Sequence, residues 1–112
     1  MSQDMLQASV AAWESGPVIM LTGEADLTCA GQLSALISGQ LTRGTRQLTI
    51  DVSGLRFADS ASIRALVLAA RKLRERSGSL VLLRPQPPVA RMLELLGADQ
   101  AITVRGISTA TP

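Results

Sequence analysis

The sequence has no histidine and no tyrosine, one cysteine (Cys29), one lysine (Lys72) and two aromatic residues, Trp13 and Phe57. Each shortage closes off a class of function. Without histidine there is no Ser-His-Asp or Cys-His triad and no imidazole general base. A structural zinc site needs several Cys or His ligands, so none is expected. A lone cysteine forms no internal disulfide, which fits a reducing cytoplasm, the expected location. Single-stranded nucleic acid is gripped by stacking bases on exposed aromatics, and this chain has almost none to offer. No apolar run approaches the ~20 residues that span a bilayer. The segment Met1–Val10 lacks the basic start and apolar stretch of a secretory signal. Neither membrane insertion nor export is therefore expected.

What is present describes an ordinary globular chain. Of 112 residues, 46% are hydrophobic and 18% charged, which separates it from disordered sequences. A chain of this size buries roughly 65% of its extended surface, enough for one modest core. One domain over 1–112 is expected, with its core at about residues 6–104 and a tail over 105–112. The net charge of +2 hides an asymmetry: residues 1–42 carry four acids and no base, whereas 43–112 carry all eleven bases and five acids. A solvated basic helix face explains this ahead of a nucleic-acid patch, so no direct nucleic-acid partner is expected.

Ala8–Trp13 and Val18–Leu21 flank the turn Ser15-Gly16-Pro17 and suggest a hairpin. Gly23-Glu24-Ala25-Asp26 breaks the pattern, and Thr28 is a plausible N-cap. Cys29, Leu33, Leu36, Ile37 and Leu41 recur at three and four, one face of a helix, and Gly44 suits its C-terminus. Leu48–Val52 alternates and reads as a strand closed by Ser53-Gly54. Ile63, Leu66, Val67, Ala70 and Leu73 mark an amphipathic helix, opposite Arg64, Arg71, Arg74 and Glu75. Ser77-Gly78 stops it. Leu80–Leu83 reads as a central strand. Pro88 opens a third helix, with Val89, Met92, Leu93 and Leu96 on its buried face and Gly97 at its end. Ile102–Val104 is a last strand. Strands alternating with helices require crossovers, so the fold class is α/β: a mixed, mostly parallel sheet in ββαβαβαβ order with helices packed on it.

Two loops fall at carboxyl ends of strands, Gly23–Asp26 and Phe57–Ser62, where open α/β sheets hold their binding sites. The second leads into a helix N-terminus, whose free N–H groups and dipole favour an anion. Phosphate on a hydroxyl there would be electrostatically well placed, although Asp59, and Asp26 if the loops adjoin, would repel it. A charge change near −2 at such a place alters what docks on it.

These segments resemble a known family, the STAS domain shared by anti-sigma factor antagonists and the cytoplasmic tails of sulfate transporters. The resemblance runs from about Leu6 to Val104. It is carried by Leu21–Asp26, Leu48–Leu55, Phe57–Ile63, the Gly78 turn and the Leu80–Leu83 strand, in that order and spacing. The resemblance implies a non-enzymatic protein-binding module without cofactor. Such an antagonist binds an anti-sigma factor, a small ATP-dependent serine kinase, and so releases a sigma factor. The kinase phosphorylates the antagonist on the hydroxyl of an Asp-Ser-(Ser/Thr)-Gly motif, and a phosphatase resets it.

Carried over to this chain, Asp59 and Ser60 match the first two motif positions. The phosphoacceptor position is Ala61, which has no hydroxyl, and the motif glycine is Ser62. Three readings follow: an antagonist that this route does not switch off, a phosphate accepted on Ser60 or Ser62, or a partner that never used phosphorylation. The second ranks lower, because a kinase holds one oxygen in line with the γ-phosphate, and a shift of one helical residue turns the side chain by about 100°.

The resemblance makes Asp26, Asp59, Ser60, Ala61, Ser62 and Arg64 the partner-contacting set. Three of them have a plainer role beside it. Asp26 can bond local N–H groups in its loop. Asp59 suits a helix N-cap, and Arg64 a solvated surface. Cys29 and Met92 read as core filling. The leading expectation is a regulator that docks an anti-sigma factor serine kinase through the two loops and the first half of the Ser62–Arg76 helix. The alternative is a cytoplasmic STAS accessory subunit of a membrane transport or signalling complex. Direct nucleotide binding ranks below both, since there is no Gly-x-x-x-x-Gly-Lys-(Ser/Thr) loop and Lys72 lies mid-helix. Homodimerisation is left open by the sequence.

Overall fold

The computed structural model describes residues 5–13, 16–26 and 30–106. Its elements are strands β1 (Gln7–Trp13) and β2 (Gly16–Ala25), helix α1 (Ala30–Thr42), β3 (Gln47–Ala58), α2 (Ser60–Glu75), β4 (Ser79–Leu83), α3 (Pro87–Leu95), a 3-10 turn at Ala98–Gln100 and β5 (Thr103–Arg105). The strands form one sheet in the order β1-β2-β3-β4-β5. β1 runs antiparallel to β2, and the other neighbours are parallel. This is the expected α/β fold with its antiparallel edge hairpin. Thr28 and Cys29, expected as a cap and a core residue, lie outside the described residues, as does the tail after Gly106.

Every parallel crossover steps one strand in the same direction. Right-handed connections therefore lay α1, α2 and α3 on one face of the sheet, and α2 touches both α1 and α3. The strand residues toward that face are sealed: Ile19, Leu48, Ile50 and Leu82 have no exposed surface, and Leu21 and Leu80 have 1%. Their neighbours one residue away, Val18, Met20, Thr49, Val81 and Leu83, keep partial or full exposure. A period of two thus separates a packed face from an open one. Leu33, Ile37 and Leu41 from α1, Ile63, Leu66 and Leu73 from α2, and Val89 and Leu93 from α3 close the core.

The helix stops follow local chemistry. After α1, Gly44 N–H donates to the Leu41 carbonyl (3.0 Å) and Thr45 N–H to Gln40 (3.2 Å), with Gly44 at φ 85°. This satisfies two orphan carbonyls in the Schellman manner. α3 opens with Pro87 and Pro88 behind Gln86, and Gly97 follows its C-cap Leu96 in the left-handed region.

Four expectations need correction. β3 does not close at Ser53-Gly54 but continues to Ala58, β2 continues through Gly23-Glu24 to Ala25, and α2 starts at Ser60. The turn-forming residues are absorbed into bulges. The β2–β3 register slips between Met20 and Thr22 and again between Gly23 and Glu24, with β3 carrying the extra residue each time. Ser53 N–H turns onto the Asp51 carboxylate of its own strand (2.9 Å), a local bond of the kind usually found in Asx turns. Leu96, expected on the buried face of α3, is 48% exposed, because the helix ends one residue before it.

Candidate functional site

β2 and β3 finish together, with Glu24 opposite Phe57 and Ala25 opposite Ala58. The two bulges make this possible, since they let β3 bring two more residues to the same end of the sheet. Glycines serve both. Gly23 sits at φ 93°, and a Cβ on Gly54 would stand 2.7 Å from Thr22 Cγ2. The next residues, Asp26 and Asp59, therefore leave neighbouring strand ends. Asp59 N–H donates to the Ala25 carbonyl at 2.9 Å, tying the start of α2 to the end of β2. The two loops picked out in the sequence do adjoin.

Asp59 is the N-cap of α2. Its backbone is extended and its Oδ1 accepts from Ser62 N–H at 2.9 Å. That contact satisfies one of the helix's free donors and puts negative charge at the positive end of the dipole. Ser60, Ala61 and Ser62 then form the first turn. Ser60 is exposed, Ala61 half-buried and Ser62 buried. The sequence reading places Ser62 among the contacting residues, but its side chain is 1% exposed and lies beneath the surface. Its hydroxyl is buried without a hydrogen-bond partner among the described residues. Asp26 and Arg64 are exposed, so five of the six expected residues reach the surface at one end of the molecule.

From this end a groove runs along α2. Its first part, about 290 Å³, is lined by Ser60, Ile63, Arg64, Leu68, Arg71 and Leu96 together with Val67. A second hollow of similar size shares Val67, Arg71 and Leu96 and continues to Arg74 and the 3-10 turn. Sequence reasoning missed the lower groove. The signal was a large apolar side chain on the polar side of the helical pattern: Leu68 is 51% exposed. Phe57, which the sequence reading places in the loop but not in the contacting set, is 41% exposed. A roomier cleft of about 600 Å³ between α3 and β5 is lined by none of the six expected residues, and mixes Arg91 with Glu94 and Asp99.

Beyond the groove, Asp51 forms the sharpest electrostatic feature. It is 6% exposed, accepts from Ser53 N–H, and is ion-paired to Arg84. Burial pushes its carboxyl up, but the Ser53 hydrogen bonds and the Arg84 charge outweigh that and hold it below its ordinary 3.8. This pair braces β3 against the end of β4 and includes none of the six residues expected to contact a partner. The nearby Gln86 side chain donates to the Ser53 carbonyl at 2.7 Å.

Comparison with known proteins agrees with this fold. The family described as "Mlab, STAS domain" matches residues 8–106. The anti-sigma F factor antagonist of Lysinibacillus sphaericus is 33% identical over 101 residues, covering 80% of this chain and 86% of that one. The crystal structure of an anti-sigma factor antagonist from Mycobacterium paratuberculosis superposes with a TM-score of 0.81 at 24% identity, over 92% of this chain and 87% of the other. The anti-sigma factor antagonist SpoIIAA in its unphosphorylated form gives 0.74 at 25% identity, over 89% and 87%. The Bacillus SpoIIAA has also been solved in its phosphorylated form, with a TM-score of 0.68 at 24% identity over 89% and 90%.

Proposed function

The chain belongs to the STAS domain family and is of the anti-sigma factor antagonist type; on that premise we propose that it is a cytoplasmic regulator that docks an anti-sigma factor serine kinase, releases a sigma factor, and is not switched off by phosphate at the usual position. Its relatives are regulatory binding modules, and the proposal gives this chain the same non-enzymatic role. The observation that carries it is the bond from Asp59 to Ala25, which gathers Asp26, Asp59, Ser60, Ala61 and Arg64 at one surface. That surface surrounds a helix start able to sense a change of charge. With alanine at 61, the charge there is constant, and so is the competence to dock. Ser62 supports the surface from below.

Isothermal calorimetry of the full chain against a candidate anti-sigma factor serine kinase from the same host, with and without nucleotide, tests the reading. Saturable binding is expected. Absence of heat in both conditions overturns it. The missing hydroxyl at Ala61 equally suits a partner that never used phosphorylation. The second reading is therefore an accessory subunit of a membrane transport or signalling complex, and it takes over if co-purification from the native host returns transporter components and no kinase.

A further inference from the structure

The groove between α2 and α3 continues beyond the docking face already described, and its chemistry is uniform. Its floor is apolar, with Val67 half-buried and Leu68 and Leu96 about half exposed at 51% and 48%. Its wall carries Arg64, Arg71 and Arg74, and no acid lines either hollow. Arg64 and Arg71 have no carboxylate partner among the described residues. Arg74 donates to the Ala101 carbonyl at 3.3 Å, which ties α2 to the 3-10 turn. From Ser60 to Arg74 the helix rises about 21 Å, the length of a partner helix of about 14 residues.

We propose that this groove receives an acidic amphipathic helix of a protein partner, with the helix's apolar stripe on Val67, Leu68 and Leu96 and its carboxylates toward Arg64 and Arg71. Helix-in-groove recognition uses anchors at i, i+3, i+4 and i+7, and Arg64 and Arg71 are themselves seven apart on one face. Opposite charge at the rim steers the encounter and fixes orientation, while the apolar floor supplies contact area. A nucleic acid fits less well, since no aromatic side chain lines the groove for stacking. A lipid surface fits less well because a bilayer takes up protruding apolar side chains, and these line a concavity. The assignment deepens the docking reading. It rests on that reading for the identity of the partner and not for the chemistry of the groove.

The test titrates the isotopically labelled full chain with a capped 14-residue peptide that has leucine at every third or fourth position and glutamate elsewhere. A lysine-for-glutamate counterpart serves as control. Saturable amide shifts are expected over residues 63–74 and 96–101. Binding should weaken at least tenfold in the Arg64→Glu, Arg71→Glu double variant, and also in Leu96→Ser, an exposed position whose fold is checked by a thermal melt. Shifts on the α3–β5 cleft or the open sheet face overturn the proposal, as do equal binding of the lysine peptide or no saturable shift. Preferential binding of phosphatidylglycerol vesicles through the same arginines, or a dimer in sedimentation that Leu96→Ser dissolves, also overturns it. If the acidic peptide binds while the kinase gives no heat, the kinase reading falls and the groove assignment stands. If the kinase binds and the double variant binds it equally well, the reverse holds.

Discussion

Asp51 and Arg84, thirty-three residues apart, meet at the carboxyl end of the β3–β4 ladder as a nearly buried carboxylate under an exposed guanidinium. Arg84 reaches this place from a left-handed backbone, at φ 54°. Its N–H donates to the Arg105 carbonyl at 2.8 Å, so one residue links β3, β4 and β5. The Asp51 carboxyl is held below 3.8 in the fold. An acid with a depressed native pKa stabilises the fold above its unfolded pKa, and that stability is lost as pH falls through the native pKa. Chemical denaturation should therefore show stability flat near neutrality and falling below about pH 4. In Asp51→Asn this acid-side loss should be reduced, with stability at neutral pH lower by about 1–3 kcal/mol because Arg84 loses its charged partner.

Asp59 is both a cap and a charge, and two substitutions separate these roles. Asp59→Ala should cost about 1 kcal/mol in thermal or urea denaturation. Asp59→Asn keeps an N-capping side chain and should be close to neutral in stability. A change in partner affinity in the asparagine variant would therefore report the charge alone.

Ala61→Ser puts a hydroxyl back at the second residue of α2, a half-buried position. With an anti-sigma factor kinase and ATP, intact-mass and peptide mass spectrometry should find one phosphate, at residue 61. The natural chain should take up none at Ser62, whose side chain is 1% exposed. Phosphate at Ser62 in the natural chain would contradict the burial of that side chain. Failure of the variant to take up phosphate would argue for the transport reading.

Ser62 hides a hydroxyl with no hydrogen-bond partner among the described residues. An unsatisfied buried polar group costs about 1–3 kcal/mol. Ser62→Ala removes it while leaving the backbone N–H on Asp59, and should raise stability by up to about 1 kcal/mol, measured by urea denaturation.

The end of α2 should respond oppositely at two adjacent residues. Ser77 occupies the left-handed position of the stop at φ 61°, with its N–H on the Arg74 carbonyl and that of Gly78 on Leu73. Ser77→Gly relieves about 1–2 kcal/mol of backbone strain against about 0.5–1 kcal/mol of extra chain entropy lost by glycine, for a net gain of up to about 1 kcal/mol. At Gly78 an added Cβ would lie 2.0 Å from the Arg46 carbonyl oxygen, which is backbone and cannot yield. Gly78→Ala should cost more than about 3 kcal/mol or leave the chain unfolded by circular dichroism.

Several features were legible in the sequence because they are local. The three-and-four spacing of Ile63, Leu66, Ala70 and Leu73 identified α2 and its buried face, and the alternation of Leu48, Ile50 and Val52 identified β3. Gly44 and Gly97 marked helix ends, and Asp59 marked a start. The strand lengths were less legible. Ser53-Gly54 and Gly23-Glu24 carry turn chemistry, and only pairing with a neighbouring strand turns such residues into bulges rather than breaks.

The sequence by itself determined the order of elements, the side each one buries and the absence of a hydroxyl at residue 61, since all of these depend on residue type and short-range periodicity. Only the tertiary structure decided that Asp26 and Asp59 leave adjacent strand ends, that Ser62 lies beneath the surface while Ser60 lies on it, and that Leu96 projects into a groove with Leu68. Such facts depend on register, crossover handedness and the residue at which a helix stops, and those are settled by packing between segments far apart in the chain.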